Sequence, residues 1–313
     1  MPNVQYIKAV YYWLKHIVRN LIRFKKHFEL YDEITELFPV IMIRNCFIRD
    51  ADITVATAWP TAFDVQRLNN KKGVKYYFIQ GYEMWCADNT MVEQSYHLDL
   101  KLITISPWLS EIMNNNFNRK IEAEINNGIR LDKFFPAEEK PEKPVRILML
   151  YSDLKCKGAD VGLKVLKRIK NSFPEVEVLL FGLMKAPQID FEIKYFQNPS
   201  YKELLSLYQS AHIFLFPSLG EGWGMTPIEA MACKCAVVGT LIGSIKDIYN
   251  GKNVEIIEPA NINSAFNGLQ KAITNKELRG KIAEEGYRSV LGRYDWKKSA
   301  QKMEKVFFNS FNP

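Results

Sequence analysis

From residue 145 onward, short β-rich apolar runs alternate with stretches whose apolar residues recur at helical spacing, the pattern of a parallel sheet wrapped by helices. Strands are expected at residues 146–151, 176–181, 212–217, 236–239 and 254–257, with helical spacing over 162–170 and 202–209. Residues 262–311 read as two or three further helices. The first half repeats the alternation less fully, with strands expected at 52–57, 74–79, 101–106 and 121–126. Residues 132–144 carry three prolines (Pro136, Pro141, Pro144) amid a charge cluster and read as a linker, so the expected division is 1–144 and 145–313. A chain of 313 residues has room for two such α/β domains, each with its own core.

Composition excludes several function classes. The chain is 47% hydrophobic and 25% charged, close to an ordinary globular protein. It has no run of about 18 uncharged apolar residues and no signal-peptide pattern, so a cytoplasmic location is expected. Five cysteines (Cys46, Cys86, Cys156, Cys233, Cys235) lack C-x-x-C spacing and are expected to be reduced and structural. Four scattered histidines (His16, His27, His97, His212) offer no metal centre. Of the net charge of +7, six positive charges (Lys8, Lys15, Arg19, Arg23, Lys25, Lys26) lie in residues 1–28, which hold no acidic residue. Charge this local does not make a nucleic-acid-binding stripe, and a membrane surface or acidic partner suits it better.

The segment with the most chemistry is 217–233, PSLGEGWGMTPIEAMAC, running from a strand through a glycine-bearing loop into a helix. Gly220, Gly222 and Gly224 permit positive φ and close approach of a ligand to the backbone, so successive N–H groups can converge on an anion. Thr226 is a good N-cap and Pro227 a good first helical residue, which would set a helix N-terminus, with its unpaired donors and partial positive charge, beside the loop. Such a loop suits a pyrophosphate. A purely structural reading stands next to it: Thr226 and Glu229 have capping-box spacing, in which Glu229 returns to the N-cap amide.

The whole segment resembles the E-x7-E signature of the family-4 glycosyltransferases, here Glu221 and Glu229 within Pro-Ser-x-x-Glu-Gly-aromatic-Gly and Glu-Ala-Met-Ala-Cys. The resemblance extends to Asn127-Gly128-Ile129, Phe134-Phe135-Pro136, Lys157-Gly158, the run 204–208 and Tyr294-Asp295-Trp296, and so spans roughly residues 50–311. It implies a GT-B fold, two Rossmann-like domains with parallel sheets, the C-terminal one holding a nucleotide-diphosphate sugar. By the same resemblance Glu229 binds the ribose hydroxyls, Glu221 faces the transferred sugar, and Lys157 neutralises the pyrophosphate. Gly222, Trp223, Gly224, Met225 and Thr226 offer amides to sugar and phosphates, and base contacts fall near Phe181-Gly182 and residues 199–201. The arginine usual about five residues before that lysine is absent; Ser152 stands in its region, and Lys155 is the candidate replacement, with a different geometry. Charge on the departing phosphate is then met by Lys157, Lys155, loop amides and a helix dipole, so neither metal nor cofactor is expected. The family retains anomeric configuration, so Glu221 need not be a nucleophile.

The first half departs further from the family pattern. No glycine precedes Gly73, so the opening strand and glycine-rich loop are expected to be absent or replaced and the N-terminal domain shortened. The runs 55–62 and 77–83 look like a bacterial and archaeal rhamnosyltransferase-like subgroup, and Gln80 stands where a histidine often ends the latter strand. Gln80, Tyr82 and Glu83 are therefore the acceptor-side candidates. Within residues 6–28, Ile7, Val10, Tyr11, Leu14, Ile17, Val18, Leu21 and Phe28 share one helical face with a basic arc beside it, as for a helix lying on an anionic membrane or covering a sheet. The resemblance implies transfer of a hexose or deoxyhexose to a glycan or lipid-linked acceptor, peripheral at the inner face of a membrane if that helix docks. The alternative is a non-catalytic glycosyltransferase-like subunit binding nucleotide sugar or a partner enzyme; an epimerase or phosphorylase on the same fold fits the E-x7-E frame less well.

Overall fold

A computed structural model describes residues 40, 42–83 and 89–311. The chain forms two compact units, residues 1–50 and 51–313. In the first, a turn closes where the Phe47 amide donates to the Arg44 carbonyl at 2.9 Å; the expected helix within 6–28 lies outside the described residues. Among the described residues, no helix is long and apolar enough to cross a membrane.

The second unit carries two parallel sheets. The first is built from β1 (Ile53–Ala56), α1 (Trp59–Gln66), β2 (Val74–Ile79), α2 (Asn89–Tyr96), β3 (Lys101–Thr104), α3 (Pro107–Phe117) and β4 (Ile121–Glu124), with strand order β1-β2-β3-β4. All four expected strands are present, each within two residues of its expected ends. The second contains β5 (Arg146–Leu150), α4 (Ala159–Ser172), β6 (Glu177–Gly182), β7 (Lys194–Gln197), α5 (Tyr201–Ser210), β8 (Ile213–Phe216), α6 (Met225–Ala232), β9 (Ala236–Thr240), α7 (Ser244–Ile248) and β10 (Glu255–Ile257). Helices α8 (Ile262–Thr274), α9 (Lys276–Val290) and α10 (Trp296–Phe308) complete the chain.

The order of the second sheet, β10-β9-β8-β5-β6-β7, decides where a ligand can sit. From β5 the chain winds outward through β6 and β7, then returns to pair β8 on the other side of β5. The carboxyl ends of β5 and β8 therefore flank a switch point, where the connecting loops part and leave a crevice. All four residues of β8 are buried, as a strand covered on both faces requires. Strand β7, not anticipated from the sequence, is a short edge strand with exposed ends and no clear apolar alternation to reveal it.

The last helix does not stay with the sheet that precedes it. Met303, Val306 and Phe307 of α10 pack on Tyr76, Ile103 and Ile125 of the first sheet's layer, with the Tyr76 and Phe307 rings 5.2 Å apart. The chain thus passes between the halves twice, and the two passages are tied together: the Ile129 amide donates to the Tyr294 carbonyl at 2.8 Å, within an isolated parallel bridge between Ile129 and Asp295.

Candidate functional site

After β5 the chain makes a single 3-10 turn, Lys155–Lys157, closed by Gly158 at φ 65°. A Cβ on Gly158 would stand 2.0 Å from the Pro217 carbonyl oxygen, so the residue must be glycine for the turn to lie against the segment leaving β8. Two hydrogen bonds lock this contact, from the Leu219 and Gly220 amides to the Cys156 carbonyl at 2.7 and 3.1 Å. The two loops at the switch point are therefore one structure, and they bring Lys157 to Glu221.

Lys157 Nζ lies 2.6 Å from Glu221 Oε2, and Ser218 Oγ donates to Glu221 Oε1 at 2.8 Å. Glu221 is only 5% exposed, so both carboxylate oxygens are held away from bulk water. In that setting an ion pair is strong only while both partners remain, because removing either leaves a buried charge without a counterion. Lys155 is exposed at the start of the same turn.

The helix that follows begins earlier than the sequence suggests. Its N-cap is Gly224, in the left-handed region at φ 84°, and α6 runs from Met225. Thr226 is therefore inside the first turn and not the cap, and Pro227 is the third helical residue. The reason is tertiary: Ser244 Oγ donates to the Gly224 carbonyl at 2.7 Å and the Ser244 amide to the Trp223 carbonyl at 2.5 Å, which fixes the end of the loop two residues before Thr226. The first-turn N–H groups of α6 still have no partner within the helix and carry its partial positive charge.

Glu229 is not the second member of a capping box. Its Oε2 accepts from the phenol of Tyr208 on α5 at 2.9 Å. Removal from water pushes the Glu229 carboxyl up to about 7, and the Tyr208 hydrogen bond opposes that shift without cancelling it. The Trp223 ring turns inward: it is 3% exposed and packs edge-on against Tyr294 at 5.2 Å, so what Trp223 can offer a ligand is its backbone. Met225 is half-buried against the core.

The acceptor-side candidates divide. Gln80 directly follows β2, its Nε2 donating to the Thr57 carbonyl at 3.2 Å. Its own carbonyl lies so close to Gly222 that a Cβ there would come within 2.0 Å of it. The end of the first sheet's second strand therefore abuts the loop between Glu221 and α6. Tyr82 stacks on Tyr96 with ring centroids 6.2 Å apart. Glu83 Oε2 is buried without a hydrogen-bond partner among the described residues, and burial holds its carboxyl above the usual range.

One residue that sequence reasoning missed joins them: Trp108, in the first turn of α3, whose Nε1 donates to the Gly222 carbonyl at 3.2 Å. With Leu219, Glu221, Ile242, Gly243 and Lys246 it lines a cleft of about 200 Å³. The available signal was Ser106-Pro107-Trp108 directly after a strand, which sets an aromatic at the helix start beyond a strand's carboxyl end. Among the described residues Cys46, Cys156, Cys233 and Cys235 are not in disulfides, and burial pushes the thiols of Cys233 and Cys235 up, as expected of packing residues.

Comparison with known proteins bears on the family and the fold. The family model described as glycosyl transferases group 1 matches residues 131–289, half of the chain. The capsular polysaccharide biosynthesis glycosyltransferase CapM of Staphylococcus aureus is 24% identical over 334 residues, covering 94% of this chain and 85% of CapM. Among solved structures, sucrose-phosphate synthase from Thermosynechococcus elongatus superposes with a TM-score of 0.71 at 16% identity, over 83% of this chain and 74% of that one. Anabaena Alr3699/HepE, crystallised with UDP-glucose, gives a TM-score of 0.68 at 15% identity, over 82% and 79% of the two chains. At these identities the structures speak for the fold, which is GT-B with two parallel sheets. With the family model on the second sheet and the loops of its switch point, the chain belongs to the group 1 glycosyl transferases, enzymes that transfer sugar from a nucleotide sugar.

Proposed function

We propose that the diphosphate of a nucleotide sugar binds between the Lys155–Lys157 turn and the loop 220–226, with the ribose on Glu229 and the sugar beside Glu221. The observation that carries this reading is the convergence, at one switch point, of the Lys157–Glu221 pair and the N-terminus of α6, which no side chain caps among the described residues. An incoming diphosphate takes Lys157 as its counterion and the amides of Gly222 to Thr226 as donors. As the bond between sugar C1 and the phosphate oxygen breaks, the electron pair stays on the diphosphate, where Lys157, Lys155 and the helix dipole stabilise it. The acceptor hydroxyl then bonds to C1 from the face the diphosphate leaves and passes its proton to the departing phosphate oxygen. These cationic and dipolar groups are sufficient to meet the developing charge, so the transfer proceeds without a metal ion.

The acceptor enters from the first sheet's side, past Gln80 and Trp108, and is a glycan or lipid-linked sugar receiving a hexose or deoxyhexose with retention. The resemblance of runs 55–62 and 77–83 to rhamnosyltransferase-like members favours a deoxyhexose, and the six positive charges in residues 1–28 favour an acceptor held at an anionic membrane. A thermal-shift panel of UDP, GDP, ADP and dTDP sugars tests the donor, because a ligand of the folded state raises its melting temperature by mass action. A shift for at least one sugar that is lost in Glu229→Ala is expected. No shift with any member would remove the donor site from this crevice. Co-sedimentation of the full chain with anionic vesicles, weakened by salt and absent with neutral vesicles, tests the membrane reading.

A further inference from the structure

Tyr208 sits on α5 with its side chain fully buried, among Phe134, Phe181 and Phe214, each ring centroid 5.8 Å from its own. The Cys235 thiol donates to its carbonyl at 3.0 Å, so backbone and ring are both immobilised. A phenol buried this deeply needs a partner, and the one it has is Glu229 Oε2. Tyr208 and Tyr201 on α5 and Cys233 at the end of α6 are the titratable groups that face Glu229. Among the described residues, no basic side chain pairs with it. An ionised carboxylate at Glu229 therefore has one fixed donor, and that donor is Tyr208.

We propose that Tyr208 is a positioning residue for nucleotide recognition: by occupying Oε2 it aims Oε1 at the ribose hydroxyls. The proposal rests on the ribose reading of Glu229 given above. Removing the phenol while keeping the ring, Tyr208→Phe, leaves the contacts with the three phenylalanines and removes only the donor. The carboxylate is then free to rotate, and with burial unopposed it ionises at higher pH than the value of about 7 it has in the intact protein. Below that midpoint the acceptor is lost progressively, about tenfold per pH unit if only the ionised form accepts.

The probe is whichever of UDP, ADP and GDP binds the full chain most tightly, compared with its 2′,3′-dideoxy analogue by calorimetry from pH 6 to pH 9. Wild type is expected to prefer the ribonucleotide, and Glu229→Gln to abolish that preference. Tyr208→Phe is expected to reduce it roughly five- to tenfold at pH 7, with the deficit shrinking towards pH 9 and the midpoint displaced upward. The upward displacement of the midpoint, with the preference recovering towards pH 9, is the readout that a merely structural role for the phenol would not move. Wild-type preference and midpoint in a folded Tyr208→Phe protein, with Glu229→Gln still abolishing the preference, would overturn the positioning role and leave the ribose reading intact. If Glu229→Gln keeps the preference, or if none of the three diphosphates binds, the ribose reading fails and the role of Tyr208 fails with it.

Discussion

Lys157 Nζ stands 2.6 Å from Glu221 Oε2 across 64 residues of sequence, joining the turn after β5 to the loop after β8. The pair sits where the second sheet changes winding direction, and the partly exposed lysine and buried carboxylate are oriented by Ser218 and by the bonds from the Leu219 and Gly220 amides to Cys156. In the proposed donor pose, a diphosphate would compete with Glu221 for this lysine. Donor binding and the placement of Glu221 are therefore coupled, and the site's chemistry depends on a contact that closes when two loops meet.

Glu221→Gln keeps the shape of the side chain and its bond from Ser218 but removes the charge. Turnover is expected to fall on the order of 100- to 1,000-fold, while nucleoside diphosphate affinity is retained or rises, because Lys157 is released to the phosphates. Steady-state kinetics alongside calorimetry checks this, and an unchanged turnover number would take Glu221 out of the reaction.

Lys157→Met leaves Glu221 buried without its counterion. Stability is expected to drop by roughly 3 kcal/mol, read by urea denaturation, and the double variant Lys157→Met, Glu221→Leu should recover most of it because neither charge is then stranded. A full loss in the double variant would show that the two side chains act separately.

Glu229 supplies a pH signature of its own. Its carboxyl is raised to about 7 in the folded protein from an ordinary 4.5, so between those values the native state holds more protons than the unfolded chain, and stability falls as pH rises through that window. The contribution is at most about 3 kcal/mol. Glu229→Gln, uncharged at every pH, should lose less stability than wild type between pH 4.5 and pH 7; parallel denaturation curves across that range would contradict the burial of the carboxyl.

Gly222→Ala places a methyl 2.0 Å from the Gln80 carbonyl oxygen and 2.9 Å from Gly81 Cα. Both obstacles are backbone, so the loop and the end of β2 must move apart. A displacement of this size at a catalytic loop is expected to lower the turnover number roughly 100-fold, with far less effect on binding of the free diphosphate, as single-turnover kinetics would show.

Activity in excess EDTA should equal activity without it, since Lys157, Lys155 and the α6 N-terminus meet the charge on the leaving diphosphate. Loss of turnover restored by added Mg²⁺ would mean that a divalent ion carries that charge.

Much of this was legible in the sequence because it is local. The apolar run 213–216, the alternation with helices and the glycines of the loop act over a few residues, so they located β8, the parallel sheet and the E-x7-E segment without reference to the rest of the chain. Tertiary contacts decided the remainder. The cap of α6 at Gly224 depends on Ser244, twenty positions away, and the partner of Glu229 depends on Tyr208, twenty-one positions before it. No local rule reports either bond, and the capping-box spacing pointed to a different one. Trp108 reaches Gly222 across the gap between the two sheets, and α10 crosses back to cover the first sheet with Met303, Val306 and Phe307. Periodicity states which face of an element is apolar but not which surface it will meet. That choice is made when the whole core closes, and here it sets what surrounds the reacting groups.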